Sequence, residues 1–388
     1  MFNPKQTFNN PELCGRLLER IREFSAPFRF MEVCGTHTVA LFRSGVASLL
    51  PANITHLSGP GCPVCVTHDS EIAAMLDLAG RENIHLLTFG DLMRVPGPNR
   101  MTLKQAKAEG ARVDIVYSPL EGLDIAAANS AATVVFLGVG FETTSPAVAA
   151  TVLEAKKRGL KNFTVLACHK LVPPALHALL APAPEATTPV AASPLARLPA
   201  SAAKQKNDTP HAGIDGFILP GHVSTILGAD AYNFLAQTYQ KPAVVTGFEA
   251  ADLLQAMLQL LQMQAEGKPA VLNEYKRAVQ QSGNPKAREI LFKVFKVSNA
   301  LWRGLGCIAN SGLAFTDEFA EFDAAKRLNV TFKDAAPPKG CLCGQVLAGQ
   351  IQPPDCPLFG KACVPQNPVG PCMVSTEGSC AAYYNYAL

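Results

Sequence analysis

Hydrophobic and polar positions alternate along the chain in two periods, and their succession predicts a series of strands and helices. Residues 1–24 place Leu13, Leu17, Leu18 and Ile21 on one face of an amphipathic helix. Phe28-Arg29-Phe30-Met31-Glu32-Val33 reads as a strand, followed by Cys34-Gly35-Thr36-His37 and a helical pattern that Pro51 stops. The β-branched run from Asn53 to Leu57 predicts the next strand. It leads into Gly59-Pro60-Gly61-Cys62-Pro63-Val64-Cys65 and a helix over 69–79, with Asp69 or Ser70 as its cap. Strands over 83–89 and 113–117 flank a helix over 101–109.

The same alternation restarts near Pro119. Residues 120–129 read as a helix, and Thr133 to Val139 form a continuous apolar run of the buried parallel-strand type. Gly140-Phe141-Glu142-Thr143-Thr144 follows, then a helix capped by Ser145 with Pro146 as its first residue. Strands are predicted over 163–167, 216–219 and 243–246. The last two run into Pro220-Gly221-His222-Val223-Ser224 and Gly247-Phe248-Glu249, each opening a helix. Beyond Pro285 the strand signal fades: residues 287–300 look helical and Arg303 to Gly306 form a turn.

Strands alternating with helices imply an α/β fold with parallel sheets and right-handed crossovers. The two series predict two similar α/β domains, over 28–118 and 119–248. A helical segment precedes them over 1–27, and a partly helical C-terminal domain covers 249–388. Ligands of open parallel sheets bind beyond the carboxyl ends of the strands. The unusual sequences CGTH, GPGCPVC, GFETT, PGHVS and GFE all fall there, so several of them are expected to face one cleft. Residues 181–213, rich in Ala, Pro, Thr and Ser without periodicity, read as a flexible insertion.

Composition narrows the function. Of 388 residues, 48% are apolar, enough for sizeable cores. A net charge of +3 without a basic stripe argues against nucleic acid as partner. No apolar run reaches the roughly 18 residues of a spanning helix, and the charged start lacks a signal-peptide core. The expectation is a cytoplasmic protein without a membrane partner. In that compartment twelve cysteines point to metal or redox chemistry rather than structural disulfides.

Six cysteines fall in the tail: Cys341, Cys343, Cys356, Cys363, Cys372 and Cys380. Four thiolates suit an iron–sulfur cluster or a structural zinc, and the lack of tight Cys-x-x-Cys knuckles favours iron–sulfur. The Cys62/Cys65 pair sits between a strand and a helix start, which favours thiolate and redox or metal use. Cys34 and His37 put a thiol and an imidazole at another helix start, where Cys34 suits a soft metal. Glu142, Thr143, Thr144, His222 and Glu249 are polar groups at strand ends that serve equally as caps or as site residues.

With these motifs in place, the chain resembles the HypD family, maturation factors for the iron centre of [NiFe]-hydrogenases. MEVCGTHT, GPGCPVCV, TFGDLMRVPG, VYSP, GFETT, PGHVS, DAYNF, WRGLG, CGQVL, CPLFGKAC and VSTEGSCAAYY carry the resemblance in order from Met31 to Tyr384. The resemblance implies a [4Fe–4S] cluster on Cys343, Cys356, Cys363 and Cys380, leaving Cys341 and Cys372 outside the ligand set. It implies iron held by Cys34, with Cys65 as a further candidate ligand, and a redox-active Cys62/Cys65 pair. His37, Glu142, Thr143, His222 and Glu249 would line the cleft. It further implies a scaffold that assembles iron carrying two cyanides and one carbon monoxide. That scaffold works with a HypC-type chaperone and a HypE-type cyanide donor, and the hydrogenase large subunit receives the product. Electrons are then expected to pass between the tail cluster and Cys62/Cys65, supporting reductive steps near Cys34. Such a protein is mainly an assembly scaffold with redox activity. The alternatives are a stand-alone iron–sulfur thiol-disulfide oxidoreductase and a zinc-stabilised binding protein.

Overall fold

A computed structural model describes residues 10–180 and 213–387, so the expected insertion lies, apart from Gly213, outside the described residues. Helix α1 (Pro11–Arg22) starts on Asn10, whose side-chain oxygen accepts from the Glu12 and Leu13 amides at 2.9 and 3.3 Å. Strand β1 (Phe28–Glu32) follows, then helix α2 (Gly35–Arg43) and β2 (Ile54–Ser58). Helix α3 (Asp69–Ala79) precedes β3 (Ile84–Thr88), β4 (Val113–Ile115) and β5 (Thr133–Gly138). Helix α4 (Ser145–Lys157) leads to β6 (Phe163–Ala167). The chain then runs through β7 (Gly216–Leu219), α5 (Gly221–Leu227), β8 (Ala243–Val245), α6 (Ala250–Glu266) and β9 (Val271–Asn273).

These strands form two all-parallel sheets, ordered β2-β1-β7-β8-β9 and β4-β3-β5-β6. The α/β class is as expected, but the division into units is not. β3 and β4 belong with β5 and β6, while β7 and β8 return to β1 and β2. The second sheet is thus inserted between β2 and β7, and the expected boundary after residue 118 falls inside it. The boundary before 249 also fails: β9 completes the first sheet, and α6 covers it through Leu253, Leu254 and Met257 in one core with Ile218 and Val244. Helix α1 buries Leu17, Leu18 and Ile21 in that same core, so it is part of the first unit rather than a segment separate from it. The physical reason is that buried strands such as β3, β5 and β7 are apolar on both faces and carry no label of their partner.

Two further corrections follow from pairing. The helix expected over 287–300 ends at Val294, and β10 (Phe295–Trp302) pairs antiparallel with β11 (Gly306–Phe315). Gly304 and Gly306, at φ +79° and +75°, turn this hairpin. Long-range pairing of Phe295 with Phe315 outweighs a weak local preference. The cap of α3 is His68, whose Nδ1 accepts from the Ser70 amide at 3.2 Å. The tail is short helical turns ending in α7 (Ser379–Tyr386), which packs on α2 with Phe42 and Tyr383 ring centroids 4.2 Å apart.

Candidate functional site

Register decides where the motifs lie. Glu32 pairs with Ser58 on one side and with Ile218 on the other, and Leu219 with Val245. The loops after β1, β2, β7 and β8 therefore leave one edge of the first sheet together. β1 and β7 are neighbours whose connections run in opposite directions, which makes a crevice at the carboxyl edge. Cys34 follows β1 and His222 follows β7.

Cys34 is the N-cap residue of α2 and is buried. Its amide donates to Glu32 Oε2 at 2.9 Å, and the Gly35 amide to Gly61 O at 3.1 Å. A Cβ on Gly61 would stand 2.2 Å from Cys34 N, so the CGTH and GPGCPVC loops touch backbone to backbone. Burial, then the Glu377 and Glu32 carboxylates, push the Cys34 thiol up to about 12. Cys62 and Cys65 form a disulfide, with Cys62 capping the one-turn helix Pro63–Val66. Both are buried, Cys62 at 3% and Cys65 at 0% exposure.

His37 is fully buried, and its Nε2 lies 2.9 Å from Gly247 O. A carbonyl only accepts, so Nε2 carries the proton and Nδ1, without a partner, is left as an acceptor. Burial pushes His37 down to about 4. Its ring lies tilted against Phe248 (centroids 4.6 Å apart), which stacks on His222 (4.2 Å). The GFE and PGHVS loops thus join CGTH through one phenylalanine, with His222 exposed to solvent. Glu142 is buried; Oε1 accepts from Val172 N at 2.9 Å, Oε2 has no partner, and burial raises it to about 7. Thr143 is exposed, while Thr144 and Glu249 are the N-cap residues of α4 and α6.

All six tail cysteines line one apolar-walled cavity with Leu358, Phe359, Gly370 and Met373. Cys343 Sγ and Cys372 Sγ are 2.7 Å apart. That hydrogen bond pulls the Cys343 thiol below its ordinary value, and against burial Arg303 does the same. Cys372, bonded to Cys343 and Cys380, is pushed up. Among the described residues no three His, Cys, Asp or Glu side chains are grouped to hold a single metal ion. Six thiols gathered around one cavity are consistent with iron–sulfur binding. Cys65 Sγ stands 4.0 Å from Pro371 O, so the disulfide lies between the Cys34 loop and this cavity.

Sequence reasoning passed over several residues that hold these parts together. Glu377, between Cys372 and Cys380, accepts from Thr36 Oγ1 at 2.7 Å, and its carbonyl would sit 2.3 Å from a Cβ on Gly35. Asp91 Oδ2 accepts from Ser375 Oγ (2.9 Å) and the Thr376 amide (3.2 Å), while Arg94 donates to Val374 O at 3.1 Å. Arg303 donates to Cys65 O and Thr67 O and pairs with Asp69. The only signal for them was their place in VSTEGSC, TFGDLMRVPG and WRGLG. No helix among the described residues is long and apolar enough to cross a membrane.

Comparison with known proteins gives the family. The HypD family model, described as the hydrogenase formation hypA family, matches residues 12–387. The chain is 44% identical over 360 residues to the hydrogenase maturation factor HypD of Azotobacter vinelandii, covering 92% of this chain and 89% of that one. It is 40% identical over 388 residues to that of Escherichia coli K12, covering 98% and 96%. The factor from Cupriavidus necator is likewise 40% identical, over 385 residues, with 98% and 96% covered. The family match over nearly the whole chain, together with relatives 40–44% identical over most of their length, makes this protein a member of the HypD family of hydrogenase maturation factors.

Proposed function

We propose that the chain is a cytoplasmic scaffold on which the iron group of a [NiFe]-hydrogenase acquires its two cyanides and one carbon monoxide. A HypC-type partner shares the iron, a HypE-type protein delivers cyanide, and the large subunit receives the product. The observation that carries this reading is the close backbone approach of Gly61 to Cys34, which brings the segment bearing this buried thiol against the Cys62–Cys65 loop.

The iron is the cargo. A thiolate is a suitable ligand for soft, low-valent iron, and Cys34 must lose its proton to become one. Burial and two carboxylates oppose a free thiolate there. The thiolate therefore forms together with the metal, and the cationic iron replaces the proton. His37 stays neutral, and its donor is committed to Gly247 O, which fixes the ring beside the helix start. Reduction of the Cys62–Cys65 disulfide takes up two electrons and two protons and frees two thiols in the same loop. Cys343, Cys356, Cys363 and Cys380 would hold a [4Fe–4S] cluster, which supplies one-electron exchange when bound. Cys341 and Cys372 line the same cavity, and Cys372 hydrogen-bonds to Cys343 and Cys380.

The disulfide also favours a second reading, a stand-alone thiol-disulfide oxidoreductase. Both sulfurs are buried, however, and exchange with a protein substrate needs access to one of them. Infrared spectroscopy of the protein co-purified with its partner separates the two. The scaffold shows cyanide and carbonyl stretches, and Cys34→Ala abolishes them. Full bands in Cys34→Ala overturn the assignment, and turnover of a small disulfide by Cys62/Cys65 without any such bands supports the oxidoreductase.

A further inference from the structure

We propose that the buried Arg303–Asp69 ion pair sets the reduction potential of the redox group carried by the cysteine-rich tail, with Arg303 as a positioning residue shared by the Cys62–Cys65 segment and Cys343. The inference rests on the iron–sulfur reading of the tail given above.

Arg303 sits in the turn of the β10–β11 hairpin and reaches into the loop that follows the disulfide. Its Nε donates to Cys65 O at 3.1 Å, its backbone amide to Val66 O at 2.9 Å and its Nη2 to Thr67 O at 2.9 Å. Three successive carbonyls thus end on one residue. Nη1 pairs with Asp69 at the start of α3, and the two side chains are 4% and 9% exposed. On the other side, a Cβ on Gly304 would stand 2.4 Å from the Gly344 Cα, so the residue after Arg303 lies against the residue after Cys343. Arg303 thus stands between the segment that carries the disulfide and the helical turn that opens at Cys343.

Holding three carbonyls does not by itself call for a permanent charge with its own buried counter-ion. A buried ion pair adds little net stability compared with apolar packing. What it does add is a fixed field. One electron arriving at the tail group adds one negative charge, with no proton needed to balance it. Arg303 favours that charge, Asp69 opposes it, and the low-dielectric surroundings screen neither strongly. Net charge around a cluster is one of the levers that sets its potential. A neighbouring buried pair, Lys170–Glu71 at 2.6 Å, is neutral overall and stays the same in each variant below.

The test is a midpoint-potential titration of the full-length protein, purified without oxygen and followed by electron paramagnetic resonance. Asp69→Asn keeps the size of the side chain and an acceptor for the guanidinium. It is expected to shift the one-electron equilibrium about tenfold towards the reduced form, about 59 mV upward. Arg303→Met should shift it by a similar factor downward. Arg303→Lys keeps the charge while losing the forked hydrogen bonds, and should remain near the unaltered protein. Unchanged potentials, or shifts of the same sign in Asp69→Asn and Arg303→Met, overturn the inference by pointing to loosened packing alone. If Arg303→Met does not fold, the sign in Asp69→Asn decides. A preparation with no [4Fe–4S] signal overturns the iron–sulfur reading itself and the inference with it.

Discussion

Glu142 shows how much one buried carboxyl decides. Its pKa is raised from about 4.5 to about 7 because burial disfavours the charge and only Oε1 has a partner. A group raised on folding contributes stability below its unfolded value, and loses that contribution as pH climbs through the folded one. The window is therefore about pH 4.5 to 7, and the amount is about 3 kcal/mol at 1.36 kcal/mol per unit. Glu142→Gln keeps the acceptor for Val172 and cannot ionise. Relative to the unaltered protein it should gain about 3 kcal/mol between pH 5 and pH 8, read from urea midpoints. Equal pH dependence in the two proteins rules this account out. The candidate status of Glu142 was legible in GFETT, but its protonation was not, because burial belongs to the fold.

At the scale of elements, close backbone approach governs the site. Gly61→Ala would drive a Cβ to 2.2 Å from Cys34 N and 2.4 Å from Val33 C, neither of which is free to move. It should cost about 1–3 kcal/mol or more and separate the two loops. Gly15→Ala is the same substitution within α1 with nothing within 4 Å, and should stabilise by about 0.5–1 kcal/mol. Thermal unfolding of the two variants should move in opposite directions. The segment between Cys372 and Cys380 is held from both units, by Asp91 and Arg94 from the second and by Thr36 from the first. Asp91→Ala should therefore raise amide exchange over residues 373–378 while the two sheets keep their protection. Unchanged exchange there would show that the Asp91 contacts hold nothing in place. The tight GPGC turn could be read from its glycines and prolines. Which backbone it presses on could not.

For the whole molecule, the tail has few regular elements and shares a core with the first sheet through Cys343, Leu347, Cys372, Met373 and Cys380. If a cluster occupies its cavity, binding energy there is folding energy. Removing the cluster by oxidation and chelation should make residues 341–380 the first to be cut in limited proteolysis, with both sheets intact. Simultaneous loss of the sheets would show that the tail is not a separately stabilised part.

The sequence by itself determined the local pieces. Apolar runs marked the parallel strands, caps and prolines marked the helix starts, and the cysteine-bearing loops stood out because their residue types have few other uses. It also marked a carboxyl edge as the place where each of those loops would lie, since that follows from strand direction alone. Only the tertiary structure decided which strands are neighbours, because buried strands look alike and pairing is a long-range choice. That choice inserted the second sheet into the first, turned residues 295–302 into a hairpin strand, brought Glu377 and Arg303 to the cysteine-bearing loops, and set Asp91 against the segment between Cys372 and Cys380. None of these three is distinctive as a residue. Each acquires its role from a partner dozens to hundreds of positions away.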